Sequence, residues 1–244
     1  APIIHIKKTK STNNYLKNIL LVKRPEEETI VYADYQSEGR GQRGNSWESE
    51  AGRNLLFSTV LYPTHIKISD QFIISQIVSL AIKDFLSKRI DDVTIKWPND
   101  IYWRNKKMGG ILIENVLKDD IIEQSIVGIG LNINQLKFNS NAPNPISLRQ
   151  ICDGQEQDRS AILQMIAYYI HVYYQDVKNG LAGEITERYK QSLFRNEGYH
   201  LYYDSMGYFS ARFRDIEPSG VLVLETTEGI IKRFSFKEVT YILE

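Results

Sequence analysis

The feature that most restricts what this chain can fold into is a change of pattern at Glu197-Gly198. Before it, strand-length runs alternate with segments of helical apolar spacing. After it only short strand-like runs remain, at Tyr199–Tyr203, Tyr208–Asp215, Val221–Thr226, Ile230–Phe236 and Val239–Leu243, with turn residues at Ser205-Met206-Gly207, Pro218-Ser219-Gly220 and Glu228-Gly229. This predicts a mixed unit over residues 1–196 and a small β-barrel over 197–244. In the first unit, helical spacing predicts long helices over Ser69–Lys88, with Ser69 or Asp70 as cap, and over Ser160–Lys178, and a shorter one from Glu184 to Leu193. Ser11 or Thr12 caps another short helix carrying Tyr15, Leu16, Ile19 and Leu20. Strands are expected at 29–35, Asn54–Tyr62, Val93–Trp97, Gly110–Glu114 and Ser125–Ile133, and a loop at Asn139–Pro145. The last three strands follow one another without a helix, so the sheet should be mostly antiparallel and the fold α+β.

Composition removes several classes of function. Thirty basic residues balance thirty acidic ones, so overall charge favours neither nucleic acid nor an anionic membrane as partner. Apolar content of 42% excludes a disordered chain. No run reaches the roughly 18 apolar residues of a membrane span, and the first residues lack a secretory core, so a cytoplasmic protein is expected. Cys152 stands alone, which excludes a disulfide or a thiolate zinc site within one chain. His5, His65, His171 and His200 show no metal-ligand spacing.

Three segments carry chemistry. Gly39-Arg40-Gly41-Gln42-Arg43-Gly44-Asn45-Ser46-Trp47 follows a strand and concentrates glycines and arginines; close backbone approach and cationic donors suit phosphate or carboxylate oxygens, although such a loop can also be a solvated turn. In Lys96-Trp97-Pro98-Asn99-Asp100-Ile101, followed by Lys107-Met108-Gly109-Gly110-Ile111-Leu112, the proline should end a strand and turn Asn99 and Asp100 outward, where a carboxylate could meet Mg²⁺ or a ribose. The plainer reading is two strands with charged tips. Gly128-Ile129-Gly130-Leu131-Asn132-Ile133-Asn134 places two amides on one side of a strand, facing either a ligand or solvent.

In order and spacing these segments resemble the signatures of the biotin–protein ligases: a Gly-Arg-Gly loop ending in Trp, Lys-Trp-Pro-Asn-Asp with Lys-x-x-Gly-Ile-Leu after it, and Gly-x-Gly-x-Asn-x-Asn. Ser11-Thr12-Asn13 matches the family's Ser-Thr-Asn element. The resemblance implies a class II synthetase-like catalytic domain with a small SH3-like C-terminal barrel. It implies contacts to biotin from Ser11, Thr12, Asn13, Gln36, Gly39, Arg40, Gly41, Lys107, Gly109 and Gly110. Contacts to ATP would come from Gln42, Arg43, Trp47, Lys96, Asn99, Asp100 and Asn132. Lys107, Arg40 and Asp100 become the catalytic candidates, with Lys107 between the biotin carboxylate and the α-phosphate and Asp100 acting on Mg²⁺, directly or indirectly. The implied activity forms biotinoyl-AMP and transfers biotin to a lysine of a biotin carboxyl carrier domain, as in biotin–[acetyl-CoA-carboxylase] ligases. Some relatives dimerise through a sheet edge, so a homodimer is one expectation.

Two departures stand out. Gln42 and Asn45 occupy places where some members carry arginine, and a Ser-Thr-Asn element starting at residue 11 leaves no room for a preceding helix-turn-helix, so DNA binding is not expected. The alternatives are a lipoate–protein ligase, whose Arg-Arg-x-Ser-Gly-Gly-Gly segment is absent, and a non-catalytic RNA-binding module, which the zero net charge opposes.

Overall fold

The computed structural model describes residues 1–140 and 144–243, apart from the side chain of Arg43, so the middle of the expected 139–145 loop and the expected Arg43 contact lie outside the described residues. The first unit is built on a seven-stranded sheet. Its strands are β1 (Ile3–Thr9), β2 (Ile30–Gln36), β3 (Leu55–Leu61), β4 (Val93–Lys96), β5 (Asp100–Trp103), β6 (Lys106–Lys118) and β7 (Ile121–Leu131), in spatial order β1-β2-β3-β7-β6-β5-β4. β1 and β2 pair in parallel because helix α1 (Thr12–Val22) carries the chain back along the sheet between them. The other neighbours pair antiparallel, as the run of strands in the sequence predicts.

β1 and β5 were not among the expected strands. β1 is an edge strand that half-buries only Ile4, Ile6 and Thr9, and its second half is Lys-Lys-Thr. β5 has four residues, too few to show alternation. The opposite edge is covered: the Ile95 N–H of β4 donates to Ser192 O at 2.9 Å, and the Phe194 N–H donates to Ile95 O at 2.8 Å. β1 therefore presents the open edge of this sheet.

Helix α2 (Phe72–Leu86) is buried along its length except at Lys83 and Asp84, because it lies between the sheet and helices α4 (Arg159–Lys178) and α5 (Ala182–Gln191). Its start differs from expectation. Ser69 and Asp70 belong to a 3₁₀ turn, and Gln71 takes the cap position with no side-chain bond, so burial rather than capping holds this end. Short helix α3 (Leu148–Ile151), also unexpected, is nucleated by a Ser147–Gln150 capping box. On the other face of the sheet, α1 packs Leu16 against Val31, Val60 and Ile126. None of the described helices is long and apolar enough to cross a membrane.

After α5 the chain forms a second sheet from β8 (His200–Asp204), β9 (Gly207–Ile216), β10 (Leu222–Thr226), β11 (Ile231–Phe234) and β12 (Thr240–Tyr241), in order β11-β10-β9-β8-β12. All its pairs are antiparallel, which fits an SH3-like domain. The expected barrel is not closed, since β11 and β12 form the two edges and do not pair among the described residues; the strand expected over Val239–Leu243 shortens to Thr240–Tyr241. One apolar core runs through both units. Trp97 Nε1 donates to Gly220 O at 2.9 Å, and the Phe236 ring lies 5.5 Å from Trp97 and 6.0 Å from Phe72. Gly220 has φ +92°, and a Cβ there would fall 2.6 Å from the Phe72 ring, so glycine is required on both counts.

Candidate active site

The α1 face of the sheet is hollowed into a cleft of about 720 Å³. Ser11, Thr12, Asn13, Gln36, Arg40, Gly41, Gln42, Trp47, Lys96, Asn99, Asp100, Lys107, Gly110 and Asn132 all line it, although they are scattered over half the chain. Gly39 and Gly109 do not; they sit behind the wall, where a Cβ on Gly39 would meet Trp47 O at 2.6 Å and one on Gly109 would collide with Leu131.

The cleft exists because two glycines stand side by side on β7. A Cβ on Gly128 would collide with the Asn13 amide, and one on Gly130 would fall 2.6 Å from the Trp47 ring. Gly130 pairs with Gly110 on β6, and a Cβ on Gly110 would approach Asp100 Oδ1 at 3.3 Å and Lys107 Cε at 3.6 Å. Gly110, Gly128 and Gly130 thus form a flat patch of sheet that lets other side chains come down on it.

One end of the cleft is polar, with its charged groups paired to one another. The Thr12 N–H and hydroxyl lie 2.7 and 3.0 Å from Gln36 Oε1, and Ser58 Oγ lies 2.7 Å from Thr12 Oγ1 and donates to Asn13 Oδ1 at 2.5 Å. Asn13 in turn donates to Glu114 Oε2 at 2.7 Å and to Leu112 O at 3.3 Å. Glu114 also receives Lys17 at 2.6 Å and Arg40 at 3.2 Å, while Arg40 Nη2 donates to Asn14 Oδ1 at 2.8 Å. Ser11 caps α1 by position but makes no side-chain cap bond, which leaves its hydroxyl to the cleft.

Burial raises the Glu114 carboxyl, but Lys17, Asn13 and Arg40 together outweigh it and hold the group below the ordinary carboxylate value. A folded-state value below the unfolded one means that its stabilising contribution is complete above the unfolded value and fades as pH falls through the folded one. Glu114→Gln should therefore lower the urea midpoint at neutral pH, and the gap from the parent should narrow between about pH 5 and about pH 3. A gap that stays constant over that range would show that the carboxylate charge does not brace this network.

The other end is cationic and aromatic. Lys107 Nζ lies 2.7 Å from Asp100 Oδ1 and 6.0 Å from the centre of the Trp47 ring. The Lys107 backbone is locked on both sides, its N–H donating to Asn144 O at 2.8 Å and its carbonyl accepting from the Ile146 N–H at 2.9 Å. Lys96 meets Tyr102 Oη at 3.2 Å and lies over the Tyr102 and Tyr241 rings at 5.0 and 5.2 Å. Burial lowers its pKa below the ordinary lysine value; Asp100 opposes the shift, and Lys107 and Arg195 add to it. The Trp47 Nε1 is buried with no hydrogen-bond partner among the described residues.

Some expectations need correction. β7 ends at Leu131, so alternation does not reach Asn132 and Asn134: Asn132 enters the cleft, whereas Asn134 exchanges two 2.8 Å bonds with the Gln157 backbone. Asn99 is on the cleft wall, but its amide donates to Ile111 O and ties β6 to the turn. The glycine-rich loop is folded, with a 3₁₀ turn at Gln42–Gly44 and Trp47 N–H bonded to Gly39 O at 2.9 Å. Sequence reasoning missed Ser58 and Glu114, which organise the polar end, and gave the C-terminal segment no part, yet Lys237, Val239, Thr240 and Tyr241 line the same cleft. A β-branched strand gives no sign that one serine on it, Ser58, faces a helix end.

A model of the Biotin/lipoate A/B protein ligase family matches residues 5–132. The bifunctional ligase/repressor BirA of Bacillus subtilis is 31% identical over 225 residues, covering 86% of this chain. This chain spans 65% of that protein's length. BirA of Escherichia coli is 29% identical over 234 residues, which cover 94% of this chain and 71% of that one. The structure of biotin protein ligase from Aquifex aeolicus in complex with biotin and ATP superimposes with a TM-score of 0.80 at 25% identity, over 98% of this chain and 97% of that one.

Proposed function

This chain belongs to the Biotin/lipoate A/B protein ligase family, and from that premise we propose that it is a biotin–protein ligase. It joins the carboxylate of biotin to the α-phosphate of ATP, releasing pyrophosphate, and passes the biotinoyl group from the adenylate to a lysine of a carrier domain. The observation that carries this reading is the division of one cleft into a polar end of hydroxyls and amides whose charges are paired and an end carrying Lys96 and Lys107, with Lys107 at 2.7 Å from Asp100.

The ureido ring of biotin is uncharged and needs donors and acceptors together, which Ser11, Thr12 and Gln36 supply. Its carboxylate and the triphosphate repel each other, so a lysine held where they meet lowers the cost of bringing them into line and stabilises the charge of the transition state. Lys107 takes that part. Lys96, which forms no ion pair with a carboxylate among the described residues, and the Trp47 wall face the nucleotide. The adenylate is a mixed anhydride, and the folded loop over Gly39–Trp47 shields it from water until an acceptor amine attacks the carbonyl and AMP leaves.

Among the described residues no cluster of three or more His, Cys, Asp or Glu gathers, so Mg²⁺ belongs to the ATP it arrives with; Asp100 is the residue that would face it, and the ion would neutralise phosphate charge. The acceptor that fits is a biotin carboxyl carrier domain, with acetyl-CoA carboxylase as the enzyme it serves. In a homodimer joined edge to edge, β1 would be the strand that pairs.

The test is pyrophosphate release from Mg-ATP in the presence of biotin or of lipoate. Release that depends on biotin is expected. Release with lipoate alone would transfer the chain to the lipoate branch, and release with neither would sink both.

A further inference from the structure

Glu48 follows Trp47 directly and reaches a segment far away in sequence. Its Oε1 accepts from the Asn139 N–H at 2.9 Å and from Gln135 Nε2 at 3.2 Å, and its Oε2 accepts from the Ser140 N–H at 2.7 Å. Burial raises this carboxyl, but the Ser140 and Asn139 donors and the Gln135 amide outweigh it and hold the group below the ordinary carboxylate value. The partners are neutral N–H and hydroxyl groups, so they bind the carboxylate as directed donors rather than as a counter-charge. The segment so gripped supplies Phe138 and Ser140 to the cleft.

The neighbouring Trp47 is held in place without help from its own polar atom. Its Nε1 is buried and makes no hydrogen bond among the described residues. The ring nevertheless lies against Gly130 and Gly110 and within 6.0 Å of Lys107 Nζ. Its restraints come from the chain around it: the Trp47 N–H to Gly39 O on one side, and on the other the Glu48 carboxylate, which accepts from the Asn139 and Ser140 N–H groups.

We propose that Glu48 is a positioning residue for the nucleotide end of the cleft: its carboxylate fastens the end of the glycine-rich loop to residues 135–140 and thereby fixes the Trp47 indole as a wall against which the nucleotide packs. This rests on the ligase reading for the identity of the ligand. Glu48→Gln keeps the shape but sets an NH₂ group against backbone donors that the carboxylate accepts.

The experiment is a double-mutant cycle on the full chain with Glu48→Gln, Trp47→Ala and the pair, using ATP as the probe. Calorimetry without biotin gives the ATP Kd, and biotin-dependent pyrophosphate release gives KM and kcat. Glu48→Gln should raise the ATP Kd and KM roughly tenfold with kcat within about threefold of the parent, and in the Trp47→Ala background it should change Kd by less than about twofold, as expected of residues that act through one another. A merely structural role would not produce that loss of effect. An unchanged Kd in a Glu48→Gln protein that melts like the parent, or the same factor in both backgrounds, overturns the proposal. Should Glu48→Gln not fold, Glu48→Asp, which keeps the charge but shortens the reach, serves in its place with the same expected pattern. A parent that binds ATP but releases no pyrophosphate with biotin sinks the ligase reading, while the Kd comparison still decides the role of Glu48.

Discussion

On the proposed ligase reading, Lys107→Ala should slow formation of biotinoyl-AMP by about a hundredfold or more, the scale of losing one preorganised stabiliser of transition-state charge. The geometry gives two separate reasons. The ammonium belongs to the cationic end of the cleft, and its place is set from outside the side chain: β6 carries it, and Asn144 and Ile146 lock its backbone. The substitution also leaves the Asp100 carboxylate, 22% exposed and previously paired at 2.7 Å, facing two anionic substrates. Part of the defect is therefore repulsion, and Asp100→Asn added to Lys107→Ala should recover some of it. Lys107→Arg keeps the charge but spreads it over a planar fork, and should retain only part of the rate. Single-turnover pyrophosphate release at saturating biotin and ATP is the measurement. A Lys107→Ala enzyme with the parent's single-turnover rate would remove Lys107 from the chemistry.

The limits of sequence reading follow from the range of the contacts. Motif residues within one loop or strand end, such as Arg40 to Trp47 or Lys96 to Asp100, could be placed because neighbouring positions share a local geometry. Elements could be found where burial is one-sided, as in α4, and were mis-started where burial is complete, as at Gln71, because a helix apolar all round leaves capping no deciding part. Glu114, Ser58 and Glu48 act through partners 45 to 101 positions away, and no periodicity marks such pairs. The glycines were visible, but their reason was not: only packing shows that Gly128 and Gly130 lie beneath Asn13 and Trp47.

The same blindness to distant contacts hid the place of Lys237, Val239, Thr240 and Tyr241 in the cleft wall, and removal of residues 197–244 should be the most destructive change to the fold. A truncated chain ending at Asn196 would lose Gly220 O, the acceptor of the Trp97 indole, and the Phe236 ring that packs on Trp97 and Phe72. Phe72, Trp97 and Tyr189 are 4%, 4% and 0% exposed in the whole chain, and Phe194 rests on Tyr241 at 6.2 Å. Returning three or four such side chains to water costs roughly 1.5–3 kcal/mol each, so the sum approaches the 5–15 kcal/mol that typically separates a folded domain from its unfolded chain. The loss is also local to function, because Pro98 follows Trp97 directly and the next two residues, Asn99 and Asp100, line the cleft beside Val239 and Thr240 from the missing piece. The expected result is a poorly soluble chain without a cooperative melting transition and without adenylation. Phe236→Ala, which removes the ring packed on Trp97 and Phe72, should lower the melting temperature while leaving a cooperative transition. A truncated protein that melts cooperatively and forms adenylate at the parent's rate would show the second sheet to be an appendage, and the continuous core between the two sheets would then contribute nothing that the first cannot supply alone.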